Sequence, residues 1–255
     1  MQPPHRPLIE YYAHEADRHG WVRRLFDRTA GDYDRLERLM AWGSGSWYRR
    51  SALARSGLGA GMRVLDVGVG TGLTARQAAR LVGPAGHVTG VDPSAGMLER
   101  AVLPDGVDLL VGSAEAIPLP AASVDFISMG YALRHVQDLS AAFREFMRVL
   151  APGARICVLE ITAPASRVGR MALRTYMRGV VPLLARCVAR QRESSTLMRY
   201  YWDTIEACAR PEVILRSMRE AGFAEVQRSV SLGIFSEYIG VKPDIPGVDR
   251  AATAA

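Results

Sequence analysis

Gly68, Gly70 and Gly72 fall on alternate positions after an apolar run that carries Asp66, and a second apolar run ends in Asp92 one helix-length later. Glycine has no Cβ, so a turn built this way can take left-handed backbone angles and let a ligand lie against the main chain. A carboxylate at the carboxyl edge of the neighbouring parallel strand can accept both hydroxyls of a ribose. The two features together describe a grip on a nucleoside. In the dinucleotide fingerprint a third glycine follows the second by three positions and brings a helix start onto a pyrophosphate. Here that position is Leu73. Asp66, at the strand end under the loop, also suits a cationic amino group better than a phosphate. The spacing therefore favours S-adenosylmethionine over NAD.

These residues need a strand, loop, helix and second strand to position them, and the hydropathy pattern provides that frame. Residues 62–67 read as a strand, followed by a helix to about 82, a strand over 88–91, a helix from 93, and strands over 107–111 and 124–129. A helix over 139–150, closed by Pro152-Gly153, precedes a strand over 155–161. Such alternation predicts an α/β fold with a parallel, doubly wound sheet. Residues 8–48 read as two or three helices with breaks near Gly20 and at Gly43-Ser44-Gly45. A helical insertion over 166–206 precedes a helix over 211–221, and stretches 223–231 and 233–241 form a hairpin at Leu232-Gly233. The expected organisation is a helical lid over 1–48, an α/β domain over 49–242 and a disordered tail over 243–255.

Composition sets the outer limits. A chain of 255 residues, 49% of them apolar, can bury one large core. The net charge is +6 and Lys242 is the only lysine, so the basic character comes from arginine. This charge suits an anionic surface or an acidic substrate and selects neither. Cys157, Cys187 and Cys208 lack CxxC spacing and read as buried reduced thiols; no metal-ligand spacing is present. No stretch approaches a signal peptide or the roughly 18 apolar residues of a membrane span, so a cytoplasmic protein, at most peripheral to a membrane, is expected. No catalytic Asn/Asp-Pro-Pro-aromatic tetrad, zinc-finger spacing or aromatic-rich basic run points to nucleic acid.

Several blocks together resemble the UbiE-like ubiquinone/menaquinone biosynthesis C-methyltransferase family. They are Phe26-Asp27-Arg28-Thr29-Ala30-Gly31-Asp32-Tyr33-Asp34, Leu39-Met40 through Gly43, the interval from Thr71 to Asp92, Gly112-Ser113-Ala114-Glu115-Ala116-Ile117-Pro118 and Tyr131-Ala132-Leu133-Arg134-His135-Val136. Arg148 to Gly153 and Ala221-Gly222-Phe223 are shared more widely. The resemblance spans about residues 22–241. It implies a Rossmann-like class I methyltransferase with a mostly parallel seven-stranded sheet that ends in an antiparallel hairpin. It also implies S-adenosylmethionine as cofactor and S-adenosylhomocysteine as product.

Thr71, Asp92, Ser113 and Ala114 match the family's cofactor contacts, and Met97 follows Asp92 in the Pro93-Ser94-Ala95-Gly96-Met97 run. Gly130 stands where the family commonly has Ser, which leaves a backbone contact there. Arg134 matches the arginine proposed to act at the aromatic substrate. Three departures, His135 for Asn, Glu37 for Asn and Gly45 for His, leave the acceptor open.

Methyl transfer to a ring carbon needs alignment, exclusion of water, removal of a phenolic proton and stabilisation of the phenolate. His135 is the expected base, with an ordinary pKa of about 6.5, and Arg134 the expected phenolate stabiliser. A loop-capping His135 and a fold-holding Arg134 are the structural alternatives. Tyr33 either hydrogen-bonds acceptor or cofactor, or packs the lid.

Arg167, Arg170, Arg174 and Arg178 recur at helical spacing ahead of Pro182. Such a face can lie on an anionic membrane and serve a lipophilic acceptor, or cover the pocket as a lid or homodimer contact. The expected reaction is C-methylation of a reduced quinone-type or phenolic acceptor. Rivals are O-, N- or C-methylation of another small molecule, an NAD-dependent oxidoreductase, and a non-catalytic adenosyl-binding module.

Overall fold

The computed structural model describes residues 2–40, 43–164, 166–183 and 193–244; Cys187 and the tail from residue 245 lie outside them. In chain order the elements are α1 (Arg18–Met40), α2 (Gly45–Arg55), β1 (Arg63–Val67), α3 (Ala75–Val82), β2 (His87–Asp92), α4 (Ala95–Leu98), β3 (Val107–Val111) and β4 (Val124–Gly130). They continue with α5 (Leu139–Val149), β5 (Leu150–Ile161), α6 (Arg167–Thr175), α7 (Ser194–Ala207), α8 (Pro211–Glu220), β6 (Ala224–Ser231) and β7 (Phe235–Val241).

The strands form one seven-stranded sheet in the order β3-β2-β1-β4-β5-β7-β6. The first five strands are mutually parallel, and β7 runs antiparallel between β5 and β6. β1 is buried at every residue after Arg63, as a central parallel strand covered on both faces must be. Phe143, Phe146 and Met218, from α5 and α8, fill one face. Ala52, Leu53 and Ala78, from α2 and α3, fill the other. The chain's direction across the sheet reverses at β1, with β2 on one side and β4 on the other, so the carboxyl ends of these strands open a crevice. The expected architecture, terminal hairpin included, is the one observed.

The break expected near Gly20 falls two residues earlier: a 3-10 turn over Glu15–Asp17 gives way at Arg18 to α1, whose 23 residues include Gly20. A glycine costs a helix about 1 kcal/mol, and here Val22, Leu25 and Leu36 pack into a cluster with Met198, Tyr200 and Trp202 of α7. The helix after Pro93 is a single turn. The chain then turns back, with Val102 N donating to the Thr71 carbonyl, so that Leu103 fills the space beside Gly72. The Arg-rich helix runs on past Pro182. A π turn over Tyr176–Val180 carries it to residue 183, widening the ladder just ahead of the residue that has no N–H to contribute.

Candidate active site

The glycine loop leaves β1 with Gly68 and Val69, both of whose N–H groups donate to the Val91 carbonyl of β2. Gly68 is left-handed at φ 67°, and a Cβ on it would lie 2.5 Å from that of Ala132, so the loops after β1 and β4 can approach only because residue 68 has none. Asp92, at the end of β2, accepts from Gly70 N at 2.9 Å and from Ser94 N at 2.8 Å. Each carboxylate oxygen keeps a lone pair for a ribose hydroxyl. Burial pushes the Asp92 carboxyl up to about 6, against the pull of those two N–H groups.

A cleft of about 810 Å³, open solvent included, lies over this loop. Among the expected cofactor residues, Gly68, Gly70, Asp92, Met97, Ser113, Ala114 and Gly130 form its wall. Asp66, Thr71 and Gly72 stand one layer behind it. Asp66 accepts from Ser128 Oγ at 2.7 Å, and burial pushes its carboxyl up to about 7 against the pull of that hydroxyl and of the Ala75 N–H. Thr71 donates to Asp34 of α1. At Gly130 the departure from Ser has a steric counterpart: a Cβ there would lie 2.2 Å from Thr74 Oγ1.

The cleft's other end is aromatic. Tyr33, Tyr131, His135 and Tyr201 form its wall. Tyr33 Oη lies 2.5 Å from Tyr201 Oη. The His135 ring stacks on Tyr200 at 5.6 Å and meets Phe26 edge-on at 5.3 Å. Both its nitrogens are shielded from solvent and have no hydrogen-bond partner among the described residues. Burial first, then the Arg134 charge, hold its pKa well below the usual histidine value. The imidazole is therefore neutral at neutral pH, and a weaker base than its ordinary pKa of about 6.5 suggests.

Arg134 is fully buried behind Tyr201 and is not part of the cleft wall. It pairs with Glu160 at 2.5 Å and donates to the Tyr131 carbonyl at 2.8 Å and to Thr204 Oγ1 at 3.2 Å. Its guanidinium carbon sits 4.7 Å from the Tyr201 ring centre. Of the other departures, Glu37 accepts from Arg49, whose guanidinium lies 5.0 Å from the Tyr131 ring centre. Gly45 begins α2, away from the cleft wall.

Sequence reasoning did not single out Asp27, Asp34 or Tyr201. Asp27 accepts from Gly96 N at 3.0 Å and from Ser94 Oγ, bringing α1 so close to α4 that a Cβ on Gly96 would lie 3.0 Å from Asp27 Cα. Asp34 takes Thr71 Oγ1 and, at 3.2 Å, Arg76. The seven-residue spacing of these two acids puts them on one face of a helix and was the available signal.

A profile of the ubiE/COQ5 methyltransferase family matches residues 13–242. The chain is 34% identical over 229 residues to the protein named ubiquinone/menaquinone biosynthesis C-methyltransferase UbiE from Hahella chejuensis, covering 87% of this chain and 91% of that one. It is 34% identical over 230 residues to the protein of the same name from Pseudomonas paraeruginosa, covering 87% and 89%. Among solved structures it resembles a methyltransferase from Thermotoga maritima described as a possible histamine N-methyltransferase, with a TM-score of 0.60 at 24% identity over 86% of this chain and 98% of that one. It also resembles a SAM-dependent methyltransferase from Aquifex aeolicus, with a TM-score of 0.59 at 20% identity over 82% and 97%. These structural likenesses bear on the fold alone.

Proposed function

This chain belongs to the ubiE/COQ5 methyltransferase family and is an S-adenosylmethionine-dependent methyltransferase, and from that premise we propose that it methylates a ring carbon of a reduced, quinone-type aromatic acceptor. The observation that supports this reading is the junction of two unlike half-sites in one cleft. The Gly68-Gly70-Asp92 cradle meets an aromatic wall of Tyr33, Tyr131, His135 and Tyr201, suited to a flat ring.

The cofactor supplies a methyl group already activated on a sulfonium, so the protein's task is alignment, exclusion of water and handling of one proton. Asp92 would hold the ribose, with the glycine loop against the nucleoside, and Met97, Ser113 and Ala114 would enclose its base. Gly130 offers backbone, because Thr74 occupies the space of a side chain. The α1 helix, with α7, roofs the cleft.

As the acceptor's ring carbon bonds to the methyl group, whose bond to sulfur would break with its electron pair left on departing S-adenosylhomocysteine, the ring hydroxyl would become strongly acidic. His135, neutral and with no hydrogen-bond partner among the described residues, accepts that proton once its ring turns a nitrogen, shielded in this structure, toward the acceptor. Loss of the proton on the methylated carbon then restores the aromatic ring and its hydroxyl, so one proton leaves per methyl group. Arg134 acts from behind Tyr201, a positive charge held in place by Glu160.

A lipophilic acceptor lies in or against a bilayer. No described helix is long and apolar enough to cross one. α6 has no buried residue, exposes Val168 and Met171, and carries Arg167, Arg170 and Arg174 with no acidic residue. This face is assigned to an anionic membrane surface, which the enzyme meets from the cytoplasmic side.

The test is methyl transfer from labelled S-adenosylmethionine to a chemically reduced demethylated quinone, with the product's methyl position read by NMR. A ring-carbon methyl is expected. Cofactor binding with a methyl on oxygen or nitrogen of another small molecule would replace this acceptor with the rival one.

A further inference from the structure

Tyr201 belongs to none of the sequence blocks that carry the family resemblance. It comes from α7, inside the insertion, yet reaches the cleft wall beside Tyr33, Tyr131 and His135. Its hydroxyl and that of Tyr33 are 2.5 Å apart. Two phenols carry two O–H protons, and the bond between them uses one. The pair therefore always has one donor left to give, and no described side chain takes it. Desolvation makes ionisation of either phenol harder, so both keep their protons.

A fixed cation lies against the ring of Tyr201. The Arg134 guanidinium carbon is 4.7 Å from the ring centre, and Arg134 is held there by Glu160, Thr204 and the Tyr131 carbonyl. Both members of that ion pair are buried, so water screens the charge little. A positive charge at the ring polarises the O–H toward donation.

We infer that Tyr201 and Tyr33 together form a hydroxyl clamp that donates to a ring oxygen of the acceptor, with Arg134 acting on that oxygen through the Tyr201 ring. The clamp selects an oxygenated aromatic over a bare ring. This assignment takes its reaction from the proposed C-methylation, but the clamp itself can be measured without turnover.

The experiment uses the full chain saturated with S-adenosylhomocysteine and titrated with a phenol carrying a short alkyl tail, then with the matching alkylbenzene. The phenol should bind about 10-fold more tightly than the alkylbenzene, the value of one well-placed hydrogen bond. Tyr201→Phe keeps a ring in place and should bring that ratio close to one, whereas Tyr33→Phe leaves the Tyr201 O–H and should lower the ratio only in part, with S-adenosylhomocysteine and alkylbenzene affinities unchanged in both. In turnover Tyr201→Phe should raise KM for the acceptor about 10-fold and leave KM for the cofactor as it was. Equal wild-type affinity for the two ligands, or a ratio that survives Tyr201→Phe, would overturn the clamp. A phenol preference lost in Tyr201→Phe, in a protein that does not methylate a quinol, would uphold the clamp and remove the proposed reaction instead.

Discussion

Thr74 Oγ1 stands 2.2 Å from where a β-carbon on residue 130 would lie, so the end of β4 and the start of α3 share one volume that only one of them can fill. Gly130→Ser should therefore destabilise the protein by about 1–3 kcal/mol through overpacking. Thr74→Ala in the same chain should recover most of that loss. Denaturant unfolding of the four proteins of the double-mutant cycle checks it, and strict additivity would show that the two positions do not compete.

Asp66 carries a cost that depends on pH. Its folded pKa is about 7, above the ordinary 3.8, so the folded state holds this proton more tightly than the unfolded chain does. The cost is absent below pH 3.8, grows between 3.8 and 7 and is complete above 7. Its size is on the order of a few kcal/mol. Asp66→Asn keeps an oxygen for Ser128 and should be more stable than wild type at pH 8, with a smaller fall in stability from pH 4 to 7. A variant less stable at pH 8 would show that the Ser128 and Ala75 hydrogen bonds to the charged form outweigh its desolvation.

His135 titrates the other way. Its folded pKa lies well below 6.5 because the ring is buried beside Arg134, so it stays unprotonated as the pH falls through 6.5. The acid limb of kcat, measured at saturating acceptor, should lie clearly below pH 6.5. His135→Ala should lower kcat about 100-fold, within the usual range for a lost general base, and leave cofactor affinity near its wild-type value. An acid limb at or above 6.5, or unchanged turnover in the variant, would assign the proton to another group.

Asp27 accepts from Gly96 N and Ser94 Oγ across the junction of α1 with α4. Asp27→Ala leaves both donors short of an acceptor and should cost about 1–3 kcal/mol at that junction. Limited proteolysis should then cut α1 faster, and S-adenosylhomocysteine affinity should fall about 10-fold, because Ser94 also supports Asp92. Unchanged proteolysis would show that apolar packing alone holds the helix down.

The exposed face of α6 should bind vesicles. Cosedimentation is expected with vesicles rich in anionic lipid and not with neutral ones, falling as salt rises, since each surface arginine contributes about 1 kcal/mol. The double variant Arg170→Glu, Met171→Asp should abolish it. Equal binding to neutral vesicles would point to apolar insertion without charge recognition.

The sheet was legible because valine-rich runs separated by helix-length intervals state its topology in local terms. Gly68, Gly70 and Asp92 were legible because backbone freedom and a carboxylate at a strand end are requirements of single positions. What could not be read depends on distant partners. The continuation of α1 past Gly20 depends on α7, and the brevity of α4 on Leu103 finding space beside Gly72. The His135 sequence suggests a base with an ordinary pKa, whereas its basicity is set by the Arg134 charge and by rings from Phe26 and Tyr200. Arg134 matches an arginine placed at the substrate, but Glu160 draws its guanidinium behind Tyr201. Tyr201 is one aromatic among several in α7, and only the fold brings it to Tyr33.

Along α1, Asp27 and Asp34 are seven residues apart, and so are Phe26 and Tyr33, each pair about two turns long. The first pair holds the nucleoside loops through Gly96 and Thr71, and the second faces His135 and Tyr201. The two stripes are turned about 100° from each other on one rod. Tilting α1 as a rigid rod moves both stripes together, so the grip on the nucleoside loops and the face turned to His135 and Tyr201 are mechanically coupled.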